Sequence, residues 1–210
     1  MIEQTSLGHM GNLRRRPFES LYVHVPFCAS KCAYCAFYSL PAATAGQIAD
    51  YLRRLETEFR WVARRSGILR SIYIGGGTPT VLPAADLEAL LSALRRHFRI
   101  EDTAEFSCEC NPGTLSKEKA GVLATYGVNR VSVGVQTTSR TLLSSLGRNA
   151  DPEDVPRTCE RLGAAGISDL GADLIYGIPG QRESDFARDL QAIAAAGVGH
   201  VSAYALTVEE

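Results

Sequence analysis

The chain reads as an α/β protein, an open (β/α)6 partial TIM barrel truncated after its sixth strand. Three observations lead there. Short β-rich runs alternate with amphipathic helical patterns, the rhythm of right-handed βαβ units and a parallel sheet. Within the runs the faces differ: in NRVSVGVQ, Val131, Val133 and Val135 oppose Ser132, Gly134 and Gln136, and in EFSCEC, Phe106, Cys108 and Cys110 oppose Ser107 and Glu109. A sheet between two helix layers would be apolar on both faces, so helices cover one face here and the other lines a curved interior. Finally, a closed barrel of eight units takes about 250 residues, and this chain has 210.

Residues 1–19 carry no periodicity and read as a leader, which leaves 20–210 as the barrel domain. Strands are predicted at 21–26, 70–75, 105–110, 129–135, 169–176 and 200–206. The first helix carries Ile48, Tyr51, Leu52, Leu55, Phe59 and Val62 at three-and-four spacing, and the second carries Leu87, Leu90, Leu91, Leu94 and Phe98. A third covers 116–126 and stops at Gly127. A fourth covers 151–162, with Asp151-Pro152 as cap and first turn, Gly163 as its stop, and Pro156 kinking or shortening it. The last covers 184–196. Residues 207–210 are all that follow the sixth strand, so the chain is expected to be the amino-terminal part of a longer protein.

A hydrophobic content of 45% suffices for a single core. Lys and Arg number 22 against 23 Asp and Glu, a balance that argues against nucleic acid or an anionic membrane held by bulk charge; Arg14-Arg15-Arg16 reads as solvated leader. No apolar run is long enough for a signal peptide or a membrane span, which places the protein in the cytoplasm, where reduced thiols belong. Of the six cysteines, Cys108, Cys110 and Cys159 read as small apolar core side chains.

The other three, Cys28, Cys32 and Cys35, stand at C-x3-C-x2-C spacing in YVHVPFCASKCAYCAFYS. Three thiolates on one loop hold three irons of a [4Fe-4S] cube and leave the fourth iron to an exogenous ligand. The alternative is zinc with His24 as fourth ligand, although zinc ligands usually come as two separated pairs. Gly75-Gly76-Gly77-Thr78-Pro79 follows the second strand, where glycines let backbone groups approach a ligand and Pro turns the chain away. Glu109 points inward without a local partner, so it meets either a cation in the cavity or water at its mouth. Gln136 and Asp173 face inward at the ends of the fourth and fifth strands, and Arg148 in LGRNA offers a planar fork for a carboxylate. Tyr22 and His24 alternate inward on the first strand, His24 as a hydrogen-bonded core histidine or a proton-transfer group.

In order and spacing, YVHVPFC, CASKCAYCAFYS, GGGTPT, ECNPGTL, NRVSVGVQ, LGR, ADLIYGIPGQ and HVSAYALTVE resemble the radical S-adenosylmethionine (SAM) superfamily, and within it the oxygen-independent coproporphyrinogen III oxidase family with its heme-chaperone relatives. The resemblance implies a [4Fe-4S] cluster on Cys28, Cys32 and Cys35, with SAM on the open iron. It implies that Tyr22, Tyr34, Gly75, Gly76, Gly77, Thr78, Glu109, Gln136, Arg148, Asp173 and Thr207 surround SAM, Tyr34 against the adenine with the 177–181 turn bordering it. The oxidase carries a further Cys two residues beyond the third, where this chain has Phe37; that difference, with NPGTL and PGQ, points to the chaperone branch. Such a chaperone binds heme and passes it to an acceptor protein. The oxidase instead uses a 5′-deoxyadenosyl radical, made by reductive cleavage of SAM, to turn two propionates of coproporphyrinogen III into vinyl groups. The chaperone's heme-binding signature lies in a carboxyl-terminal region beyond this chain. Ala33, Ala36, Ala150 and Pro156 depart from the branch pattern without touching a cluster ligand. A truncated remnant without activity is the third reading.

Overall fold

The computed structural model describes residues 17–207. In chain order the elements are β1 (Phe18–Val25), β2 (Phe27–Cys28), β3 (Leu40–Pro41), α1 (Ala45–Val62), β4 (Ser66–Gly76), α2 (Ala84–His97), β5 (Ile100–Cys110), α3 (Lys117–Thr125), β6 (Arg130–Gln136), α4 (Arg140–Ser145), α5 (Asp154–Ala164), β7 (Asp169–Tyr176), α6 (Glu183–Ala195) and β8 (His200–Ala205). Six strands form one all-parallel sheet in the order β1-β4-β5-β6-β7-β8, curled into a partial barrel, while β2 and β3 make a separate two-stranded ribbon. Because each main strand pairs with the next in sequence, every crossover falls on the same side and the helices cover one face.

The register shows what each face holds. One row across the sheet runs Ile74, Cys108, Val131, Leu170, all of them buried beneath the helices. The next row, one residue further along, runs Glu109, Ser132, Gly171, His200 and faces the interior. The alternation predicted from NRVSVGVQ and EFSCEC therefore holds across the sheet. Helix packing closes the other side: Leu87, Leu90, Leu91 and Leu94 of α2 are fully or almost fully buried, and Phe59 of α1 meets Phe98 edge to face at 5.5 Å. Each such side chain contributes about 1.5–3 kcal/mol by leaving water.

Boundaries differ from the sequence expectation where pairing, which a local pattern does not contain, extends a strand. β1 begins at Phe18, inside the expected leader, because Phe18 pairs with Ser66; residues 1–16 of that leader lie outside the described residues. β4 and β5 likewise start at Ser66 and Ile100, ahead of register irregularities at Leu69/Ser71. The fourth predicted helix starts at Asp154 rather than 151, so Pro156 sits in its first turn, where a missing N–H costs no helical bond. Asp151 precedes the helix, its carboxylate accepting from the Glu153 N–H at 3.0 Å and from Arg140 at 2.6 Å. The short helix α4 was not predicted; six residues give no period to read, and its Ser139 cap, accepting from the Leu142 N–H, is the one local signal.

Candidate functional site

The polar residues predicted to line the cavity gather at the carboxyl end of the sheet. The chain leaves β1 at Val25 and the β2–β3 ribbon folds the cysteine loop back on itself: Leu40 N–H donates to Pro26 O at 2.6 Å and Ala42 N–H to Cys28 O at 3.0 Å. Cys28, Cys32 and Cys35 are all free and half-buried. The glycine segment after β4 docks directly beneath, Gly77 N–H donating to Val25 O at 2.8 Å and Thr78 N–H to Phe27 O at 2.7 Å. Gly77 has no room for a side chain, since a Cβ there would lie 2.6 Å from Phe27 O and 3.0 Å from Cys28 Sγ. Gly76 adopts φ +111, open to glycine, with the His24 ring against it.

Burial raises the Cys28 thiol pKa, and the hydroxyls of Thr78 and Ser39 oppose that rise. Thr78 Oγ1 lies 3.8 Å from Cys28 Sγ and accepts from Asn111 Nδ2 at 2.8 Å. Asn111 Oδ1 in turn accepts from Arg148 at 2.9 Å, and Arg148 reaches the Tyr34 hydroxyl at 3.3 Å and the carbonyl of Gly134. A continuous chain of polar contacts thus joins Cys28, Thr78, Asn111, Arg148 and Tyr34. Tyr34 itself packs against a small apolar cluster of Leu142, Leu146, Ile175 and Ile178, and burial pushes its hydroxyl up to about 12. Gly147, at φ +66, lies against Ala33, and Ala33 N–H donates to Leu146 O, so the loop after α4 supports the cysteine loop from below.

Glu109 is where the structure departs from the sequence reading of an inward carboxylate without a partner. Tyr73 donates its hydroxyl to Oε1 at 2.8 Å and Gly76 its N–H to Oε2 at 3.0 Å. Gly75 makes room for this, as a Cβ there would lie 2.7 Å from the carboxyl. Burial nevertheless outweighs these bonds and raises the Glu109 pKa; burial does the same to Asp173, whose carboxylate accepts from Ser132. Tyr22, half-exposed, stacks on Tyr73 at 6.1 Å and bonds His24 Nδ1 at 3.0 Å, while His24 Nε2 lies 3.1 Å from Tyr38 O. His24 is therefore a hydrogen-bonded histidine tied to the cysteine loop. Gln136 takes φ +68 at a register shift, and its side chain lies near Gly134 beside Asn111 and Arg148. Thr207 is exposed beyond β8 and joins none of these contacts among the described residues.

Tyr73 and Asn111 were missed in the sequence. Tyr73 stands two residues before Gly75 on the same face and was legible by alternation; Asn111 acts through contacts 33 and 37 residues away and gave no local signal. Cys108, Cys110 and Cys159 are buried, with burial pushing their thiols up, that of Cys110 to about 12.

The donor set fits an iron–sulfur cluster: three free thiols on one loop, a hydroxyl at Cys28, and glycine backbone packed against the same sulfur. Among the described residues no three His, Cys, Asp or Glu side chains are gathered around one point, for zinc and for a cluster alike.

A polar-lined partial barrel with three cysteines after its first strand and a glycine segment after its second defines a class, and the radical SAM superfamily profile matches residues 22–193. The chain belongs to the radical SAM superfamily, which uses a [4Fe-4S] cluster and SAM. Within it, the chain is 41% identical over 191 residues to the heme chaperone HemW of Lactococcus lactis subsp. lactis, covering 91% of this chain and 50% of that protein. It is 35% identical over 181 residues to the oxygen-independent coproporphyrinogen III oxidase of Pseudomonas aeruginosa, covering 84% of this chain and 39% of that protein. Among solved structures, coproporphyrinogen III oxidase (HemN) from Escherichia coli superposes with a TM-score of 0.84 at 30% identity, over 91% of this chain and 44% of that one. The chain spans about half the length of the curated relatives it matches. No helix among the described residues is long and apolar enough to cross a membrane.

Proposed function

We propose that this chain is the cluster- and SAM-binding part of a heme chaperone. The observation that carries the proposal is the continuous contact chain from Cys28 through Thr78, Asn111 and Arg148 to Tyr34, which couples the cysteine loop to the wall of the cavity. Cys28, Cys32 and Cys35 would hold the cluster, which when bound supplies the electron for cleaving SAM. Gly75, Gly76, Gly77 and Thr78 offer a backbone cradle, Tyr34 and the Ile178 turn an apolar shelf for adenine, and Gln136 and Arg148 polar groups at its side. Glu109 and Asp173 are inward carboxylates whose burial favours the neutral form. A cationic ligand such as SAM opposes that effect, favouring their charged form. Tyr22 lies on the edge strand of the same wall, and Thr207, just beyond β8, is read as bordering SAM by the resemblance alone.

Phe37 favours the chaperone over the oxidase: it is 70% exposed on the loop where the oxidase resemblance asks for a further thiol. Heme and an acceptor protein are the partners this reading names, and the cytoplasm, which keeps such thiols reduced, the compartment. The oxidase is kept as the second reading because of the structural likeness to HemN. The test is to reconstitute the protein anaerobically and supply coproporphyrinogen III, SAM and a reductant, and in parallel to titrate with heme this chain joined to the carboxyl-terminal half of the L. lactis relative. A Soret band that saturates at one equivalent in the joined chain, with no vinyl product, is expected. Formation of vinyl product would select the oxidase, and heme left unbound by the joined chain would sink the chaperone reading.

A further inference from the structure

Tyr73 belongs to no motif read from the sequence, yet its hydroxyl has one use. It lies on β4, paired with Tyr22 on one side and Ser107 on the other, two residues before the glycine segment. Its ring stacks on that of Tyr22, a contact a phenylalanine would make equally well. Only the hydroxyl sets it apart, and among the described residues that hydroxyl makes a single hydrogen bond, to Glu109 Oε1 at 2.8 Å. The other carboxyl oxygen accepts from the Gly76 N–H at 3.0 Å. Two donors from one strand, one to each oxygen, restrict how the carboxyl can turn and leave acceptor capacity on both oxygens.

The carboxyl so held lies against the glycine segment itself. A Cβ on Gly75 would meet it at 2.7 Å, and two residues further on Gly77 packs against Phe27 O and Cys28 Sγ. We propose that Tyr73 is a positioning residue that holds the Glu109 carboxylate beside the 75–77 segment as the acceptor for a cationic group of SAM. The inference rests on the reading of that segment as the SAM cradle. Burial works against it by disfavouring the charged carboxylate, while the bonds from Tyr73 and Gly76 oppose burial; Asp173 on β7 adds to the rise and His24 on β1 relieves it. Tyr22 on β1 faces the same carboxyl. Without the Tyr73 hydroxyl, burial is less opposed and Glu109 takes up its proton at higher pH. A neutral Glu109 offers no charge to a cation, so SAM binding weakens as pH falls through that uptake.

The experiment is equilibrium dialysis of labelled SAM, anaerobically and without a reductant, against the reconstituted chain between about pH 5 and pH 8. It is run on wild type, Tyr73→Phe, Glu109→Gln and the double variant, each with its iron content measured first. Wild-type affinity is expected to fall toward low pH, and in Tyr73→Phe the same fall is expected about one pH unit higher, the worth of one hydrogen bond to a charged group. Glu109→Gln carries whatever Tyr22, His24 and Asp173 contribute, so adding Tyr73→Phe to it is expected to shift nothing. An unshifted profile in an iron-replete Tyr73→Phe chain overturns the proposal, as does a loss of affinity that is uniform across the pH range. An equal shift in the double variant would trace the effect to groups other than Glu109 and overturn it too, and loss of iron from Tyr73→Phe would make Tyr73 a residue of the fold instead. Wild type that binds no SAM at any pH defeats the reading of the cradle, and this proposal with it, and is told apart before any variant is compared.

Discussion

Gly77 and Glu109 show how differently residues of one site reveal themselves. Gly77 was legible in the sequence as part of a glycine run, but the reason for it is a distance, the 2.6 Å between a would-be Cβ and Phe27 O. Gly77→Ala must push the β2–β3 ribbon away from β4; it is expected to cost about 1–3 kcal/mol and to lower iron occupancy, read by thermal melting and iron analysis. Gly121→Ala is the control: in α3 with nothing within 4 Å, it is expected to raise stability by about 0.5–1 kcal/mol. Glu109 was legible as an inward carboxylate, whereas its bonds to Tyr73 and Gly76 cross to another strand and were not. Because burial holds its folded-state pKa above the ordinary carboxylate range, Glu109 takes up its proton more readily in the folded chain than in the unfolded one. Its contribution to stability is therefore full at low pH and is lost as pH rises from the ordinary range through the raised value. Glu109→Gln carries no such charge, so urea melts between about pH 4 and pH 7 should show wild type losing stability relative to the variant. Parallel curves would contradict the assignment.

Whole elements were more legible than their ends. Every main-sheet strand was visible as a short β-rich run, β5 and β6 also by alternation of a polar with an apolar face, and the helices with a broad apolar stripe were visible by period. The strand extensions at Phe18, Ser66 and Ile100 depend on pairing across the sheet, and α4 is too short for a period. At the start of α1, Thr44 and Gln47 form a reciprocal cap, Gln47 N–H donating to Thr44 Oγ1 at 3.3 Å and Thr44 N–H to Gln47 Oε1 at 2.8 Å. Thr44→Ala should cost about 1 kcal/mol, and Phe59→Ala, which empties the contact between α1 and α2, about 3–5 kcal/mol. Equal losses in denaturant melts would mean that α1 is held by its cap rather than by its packing.

For the molecule as a whole, the strand order β1-β4-β5-β6-β7-β8 does the organising: it puts helices on one face, leaves a polar interior on the other, and sets the loops after β1, β4, β5 and β6 side by side at one end. Sequence alternation foretold the two faces because it records what each residue meets. It did not foretell the Thr78–Asn111–Arg148–Tyr34 chain, which exists only once four segments are brought together. The most direct test of the three-cysteine site is anaerobic iron and sulfide analysis with EPR of the reduced protein, with and without SAM, on wild type, Cys28→Ala and Cys159→Ala. About four irons per chain and a spectrum that changes with SAM are expected for wild type and Cys159→Ala, with the cluster lost in Cys28→Ala. Zinc or no metal in wild type, or equal loss from both variants, would contradict it.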